Sequence, residues 1–169
     1  MTTPTVQRKQ PVLTAYSTGA ENWYGLKKAC SNVVSSDYAQ TTMVYGNQWG
    51  QVMSFIIDPD AEEGKTEAQV NEDPSEWGNY SDSTGAAQEN SGSPQSSRTN
   101  EAWQAKNIYD LAGNYFEWTQ EASFTYNRVS RGGIYYDSGP SNPASSRSQD
   151  NPYSYNNSYS SRPALYIVK

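Results

Sequence analysis

Glu117 is the residue whose type and setting come nearest to chemistry. It sits inside the aromatic run Tyr115-Phe116-Glu117-Trp118, where a carboxylate must be paired or must hold its proton to an unusually high pH, the second being what acid–base work requires. Arg131 and Arg162 are its candidate partners, and a scaffold ion pair is the reading preferred over proton transfer. The remaining ingredients of catalysis are scarce. The chain has one cysteine, Cys30, and no histidine. An intrachain disulfide, a Cys/His zinc site and the Ser-His-Asp and Cys-His nucleophile systems therefore cannot be assembled within it. Cys30 lies on an apolar helical stripe, and a free cysteine there is usually packing rather than a reactive thiol. The acidic residues between 60 and 100 lack the spacing of an EF-hand and read as solvated surface. The chain is accordingly expected to be no enzyme and to need no cofactor and no metal.

A different chemistry gathers near the end of the chain. Tyr, Ser, Asn and Asp fill 19 of the 27 positions from 134 to 160, a mixture that joins rigid aromatic contact area to adaptable hydrogen bonding, as antibody loops do. The candidate ligand-contact residues in the first half of this segment are Ile134, Tyr135, Tyr136, Asp137 and Ser141. In the second half they are Ser148, Asp150, Tyr153, Tyr155, Asn157, Ser158 and Tyr159. Tyrosines are the expected anchors, since a few such side chains carry most of a good interface. Loops of this kind vary safely only on a fixed scaffold, and the candidate scaffold residues are Glu117, Trp118, Arg131, Gly132, Gly133 and Arg162, with Pro143-Ala144 as a further post. The segments 134–141 and 146–160 are expected to face solvent together on one patch.

Several elements must hold these residues in place. Pro11 to Ser17 reads as a short strand, and Thr18-Gly-Ala-Glu21 has the spacing of a capping box. Trp23, Leu26, Cys30, Val33 and Val34 then recur at helical intervals, as do Trp49, Val52, Met53 and Ile56 before the stop at Asp58-Pro59. From about 60 to 100 the chain turns polar and predicts a long loop or insertion, touching the core at one point through Trp77 and Tyr80. Short strands follow Trp103, with a turn at Gly113-Asn114 and a close backbone approach at Gly132-Gly133. The apolar run Ala164 to Val168 predicts a last strand paired with Pro11 to Ser17. Together these give an α+β domain over 11–169 behind an N-terminal extension over 1–10.

Charge and hydropathy narrow the partners. The chain carries a net charge of −6, with 8 basic and 16 acidic residues in 1–128 against 4 and 2 in 129–169. An acidic body does not displace counterions from phosphate backbones, so nucleic acid is not an expected partner. No apolar run is long enough to span a membrane and the first residues lack the apolar stretch of a signal peptide. The expected ligand is a protein or cell-surface receptor, with carbohydrate as the alternative because exposed tyrosines also stack on sugars; a structural surface or virion component is a further reading. Oligomeric state stays open, as does localisation, a virion or cell surface being one option.

Three motifs in order, Asn107 to Thr119 (NIYDLAGNYFEWT), Arg128 to Gly133 (RVSRGG) and Ser161 to Val168 (SRPALYIV), resemble the formylglycine-generating-enzyme (sulfatase-modifying-factor) branch of the C-type lectin fold. Phe116 stands where that family usually has Trp, and Ile134-Tyr135 where it has Ser-Trp. The resemblance implies a C-type-lectin-like domain of two helices, short antiparallel strands and long loops. It does not carry the activity, because the enzymes need late cysteines or histidine-bound iron and this chain has neither. Among relatives without that chemistry are the variable proteins of diversity-generating retroelements, whose C-terminal codons are rewritten at adenines. Rewriting AAC or AAT codons yields residues that never include Lys, Glu, Gln, Met or Trp. Residues 1–128 contain 23 Lys, Glu, Met and Trp, so forty residues should hold about 7, whereas 129–168 hold none. Gln149 is the exception and must come from another codon. Implied by the resemblance is a variable region over about 129–168 in a hypervariable receptor-recognition protein, encoded by a phage or prophage.

Overall fold

The computed structural model describes residues 22–154 and 157–168, together with the backbone of Leu13–Thr14. The Thr18–Glu21 box and Tyr155 lie outside the described residues. The fold mixes helices with small sheets and is α+β.

Helix α1 (Trp23–Ser31) opens at Asn22, whose side chain accepts from the N–H groups of Tyr24 and Gly25 and so satisfies two of the orphan donors of the first turn. It buries Trp23, Leu26 and Cys30. The stripe stops there: Val33 lies beyond the cap at Asn32 and is exposed, and Val34 is half-buried. Helix α2 (Gly46–Ile56) turns Trp49, Met53 and Ile56 inward, the spacing that brings side chains onto one face. Two apolar clusters result. One gathers Trp23, Leu26, Cys30, Met43 and Trp118 under α1, and the other gathers Trp49, Met53, Ile56, Val70, Trp77, Tyr80 and Leu111 under α2.

The stretch from 60 to 100 is more than a loop with one anchor. It forms a short helix α3 (Glu67–Asn71), capped by Thr66 and Gln69, and a single 3-10 turn at Gly85–Gln88. Val70, Trp77, Asn79, Tyr80 and Ala87 are buried, and the Trp103 indole donates to the Ala87 carbonyl at 2.8 Å. Period counting missed this because the anchors are single residues held by polar turns, with no stripe to betray them.

The main sheet has the order β1 (Leu13–Thr14), β8 (Tyr159–Ser161), β5 (Phe116–Ala122), β6 (Arg128–Arg131), β7 (Arg147–Asp150). Strands β5 and β8 run parallel and the other pairs antiparallel. Two ribbons complete the strands: β2 (Ala39–Met43) with β9 (Pro163–Ile167), and β3 (Gln104–Ala105) with β4 (Ile108–Tyr109). The expected pairing of the first strand with the last is therefore corrected. Leu13–Thr14 pairs with β8, and β9 pairs with β2. Arg162 lies between β8 and β9 and marks the change of partner.

Both glycine expectations have a steric basis. Gly113 (φ +72°) lies against the Asn79 carbonyl, and Gly133 (φ +78°) against the Asn142 carbonyl, so a Cβ at either site would strike backbone.

Candidate functional site

The carboxylate with the strongest claim to chemistry is held fast. Arg162 donates from Nη2 and Nε to Glu117 at 2.6 and 2.9 Å, and its Nη2 also reaches the carbonyls of Tyr109 and Asp110 at 3.0 and 3.3 Å. Glu117 is buried on β5. Burial pushes its carboxyl above the usual range, Arg162 pulls against that, and buried Asp110 adds to the rise. Such a bidentate pair fixes geometry and leaves the carboxylate no open face for a substrate. Arg131, the other candidate, is Glu117's cross-strand neighbour on β6 but forms no ion pair with it. Burial lowers the proton affinity of Arg131, with Glu121 opposing that and Arg147 adding to it. Glu121 is engaged by Arg147 at 2.6 Å.

A second polar network underlies the motif that contains Glu117. The Asn114 side chain accepts from Asn79 at 3.2 Å and from the Gln95 N–H at 3.1 Å, and it donates to the Gln95 carbonyl at 3.1 Å. Ser97 donates to Asp110 at 2.6 Å, and burial raises the Asp110 carboxyl. Tyr80 donates its hydroxyl to the carbonyls of Gly132 and Asn142 at 3.1 and 2.8 Å, pinning both ends of the segment that begins at Gly133. Gly132, Gly133 and Ala144 are buried, as the scaffold role of those posts requires.

The tail residues divide by burial. Tyr136 is 52% exposed and Tyr153 70% exposed, while Ser141 and Asn157 also face solvent. Tyr135, Asp137, Ser148 and Asp150 are half-buried. Ile134 is fully buried and Ser158 nearly so. Neither side chain can meet a ligand, which corrects their place among the contact residues; the residue after Gly133 must turn inward before the chain surfaces. Tyr159 is also half-withdrawn. Its ring stacks on Trp118 with centroids 4.4 Å apart, and its hydroxyl donates to Asp150 at 3.2 Å. Burial and the Asp150 carboxylate both raise its phenol strongly, so it stays protonated and donating.

Three tyrosines form a continuous aromatic run at the surface. Tyr115 meets Tyr135 edge-on at 6.2 Å, and Tyr135 meets Tyr136 edge-on at 5.1 Å. Ser141 stands apart: the loop containing it docks on the stretch 73–83, with the Gly139 N–H donating to Asp82 at 2.9 Å.

No family model matches the chain, and no curated protein matches it. A solved structure, Treponema denticola variable protein 1, aligns with a TM-score of 0.49 at 15% identity, over 75% of this chain and 47% of that one. This chain thus spans about half the length of that protein.

Sequence reading did not find the cleft beside Tyr153. Tyr24 of α1, Thr125, Tyr126 and Arg128 at the β5–β6 turn, and Asn151 to Tyr153 enclose about 360 Å³. The rings of Tyr24 and Tyr153 lie 5.0 Å apart, and the Arg128 guanidinium rests 4.9 Å from the Trp23 ring centroid. The Trp23 N–H donates to the Pro152 carbonyl at 3.2 Å, tying this part of the tail to the start of α1. The signal was weak because the cleft residues come from three separate stretches of sequence, at Tyr24, Thr125 to Arg128 and Asn151 to Tyr153. Among the described residues no group of three or more His, Cys, Asp or Glu could hold a metal ion, and no helix is long and apolar enough to cross a membrane.

Proposed function

We propose that this chain is a non-enzymatic binding protein of C-type-lectin-like fold, whose tail presents a tyrosine-rich surface to a protein or cell-surface ligand. The observation that carries the reading is the surface run of Tyr115, Tyr135 and Tyr136, joined by edge-on ring contacts, beside the largely buried framework of Glu117, Trp118, Gly132, Gly133 and Arg162. Tyr136 and Tyr153 supply exposed contact area, with Asp137, Ser148 and Asn157 around them to tune hydrogen bonding. The fixed Glu117–Arg162 pair and the buried Cys30, whose thiol burial pushes up, support binding over catalysis.

The absence of Lys, Glu, Met and Trp from 129–168 supports a tail rewritten at adenines, as in a diversity-generating retroelement, with receptor recognition by a phage or prophage as its use. Two experiments test this. A near-identical non-coding copy of the tail codons, differing at adenines and lying beside a reverse transcriptase, is expected next to the gene. Randomising the codons of residues 135–137 and 148–153 in a displayed library is expected to leave the domain folded and to yield binders to new protein targets; a library that mostly unfolds contradicts the reading.

The cleft of Tyr24, Tyr126, Tyr153 and Arg128 favours a second reading, a sugar-binding lectin, since its rings can stack on a pyranose and Arg128 can meet an acidic group. A glycan array separates the two: specific glycan binding lost in Tyr126→Ala favours the lectin.

A further inference from the structure

Strand β9 is an edge of unusual composition. It pairs with β2 alone among the described residues. Leu165 is 60% exposed and Ile167 75% exposed. The hydrogen bonds at its two ends, Val44 N–H to the Arg162 carbonyl and Val168 N–H to the Tyr38 carbonyl, fix the alternation along the ladder. With the register Met43↔Pro163 to Ala39↔Ile167, Ala164 and Tyr166 direct their backbone groups at β2, and Leu165 and Ile167 direct theirs away from it. The outer edge therefore offers a donor and an acceptor at Leu165 and again at Ile167.

Edge strands in monomers are usually blunted by lysines, prolines or bulges. Here Pro163 guards only the start, and neither 163–168 nor the facing 38–45 contains Asp, Glu, Lys or Arg. The chain as a whole carries −6. Two copies repel over most of their surface but approach here without a like-charge contact.

We propose that β9 pairs antiparallel with β9 of a second copy, across a two-fold axis at Tyr166. In this register Leu165 faces the second copy's Ile167, and each exchanges N–H···O=C bonds with the other, so every outward group of these residues is satisfied in both chains. The same register sets the second copy's Val168 opposite Ala164. Ala164 lines a shallow apolar groove of about 490 Å³ with Val44, Val52, Phe55, Ile108 and Pro163. The apolar Val168 therefore meets a groove that is mostly apolar, with Gln48, Gln51 and Arg162 completing its lining. The pairing register and the groove use residues of β2, α2 and β9 and none of Tyr135, Tyr136 and Tyr153.

Sedimentation of the full chain over a dilution series tests this, with two variants. The unmodified chain is expected to be a dimer, and Leu165→Lys, which sets two lysines beside an uncharged seam, is expected to weaken it at least tenfold while leaving the circular dichroism spectrum intact. Tyr166→Cys is expected to form a covalent dimer on mild oxidation, because the Cα atoms of a non-hydrogen-bonded pair are about 4.5 Å apart, inside the disulfide range. The unmodified chain is expected not to cross-link, since Cys30 is buried. A chain that stays monomeric, a dimer indifferent to Leu165→Lys, or a Tyr166→Cys variant that does not cross-link would overturn the proposal.

Discussion

The segments Trp77 to Ser83 (WGNYSDS) and Tyr135 to Ser141 (YYDSGPS) share an alphabet of Tyr, Ser, Asp and Gly and touch one another. The Ser81 N–H and hydroxyl both donate to the Asp137 carbonyl at 2.9 Å. Yet Tyr80 is 0% exposed with both hydroxyl contacts made to backbone, whereas Tyr136 is 52% exposed with its ring against Tyr135. Residue type alone does not decide between scaffold and surface. Waiting partners do: Tyr80 meets the Asn142 carbonyl and the Gly132 carbonyl, the latter also held by the Gly113 N–H, and Tyr136 meets solvent and another ring.

Breaking the buried side should cost stability, and breaking the exposed side should cost binding alone. The largest effect is expected for Arg162→Met, which strands the Glu117 carboxylate in the interior and should cost about 3–5 kcal/mol in urea unfolding. The double variant Glu117→Gln/Arg162→Met should recover much of that. Next comes Tyr80→Phe, which leaves the Asn142 carbonyl short of a donor while Gly132 keeps the Gly113 N–H; roughly 1–3 kcal/mol is expected from the same measurement.

The third prediction concerns pH. Burial raises the Asp110 carboxyl, so its protonated form is the better tolerated one in the fold. That contribution is complete below the ordinary carboxylate value of about 4 and is lost as pH rises through the higher folded value. Thermal unfolding across this range should therefore show a fall with rising pH that Asp110→Asn reduces, the raised Glu117 carboxyl contributing the remainder in the same direction. The smallest stability effect is expected for Tyr136→Ala, within about 0.5 kcal/mol. The same change should weaken a selected ligand by tenfold or more in a titration. A Tyr136→Ala variant that unfolds as readily as Tyr80→Phe would erase the contrast between the two segments.

Parts of this division were legible beforehand. The stripes Trp23, Leu26, Cys30 and Trp49, Met53, Ile56 announce helices because a helix repeats its buried face every three to four residues. The pairing of Glu117 with an arginine follows from the cost of an unpaired charge among aromatics, although choosing Arg162 over Arg131 needed the path of β8 into β9 beside β5. The anchoring of 60–100 was legible at Trp77 and Tyr80, which are buried as expected, and not elsewhere. Ala87, Asn79 and Ser83 are buried one at a time by turns, and isolated small or polar residues leave no periodic trace.

The sequence by itself determined helices α1 and α2, the two glycine turns, the absence of histidine chemistry and the concentration of tyrosine, serine and asparagine after Gly133, because these depend on residue type and near-neighbour spacing. Tertiary structure alone decided that β9 joins β2, that Arg162 and not Arg131 locks Glu117, that Ile134 and Ser158 turn inward, and that Tyr24 shares a cleft with Tyr153. Each of these joins positions that are distant in sequence, or fixes which side of a strand a residue faces. A strand's pattern is compatible with more than one partner until the rest of the core has claimed its neighbours.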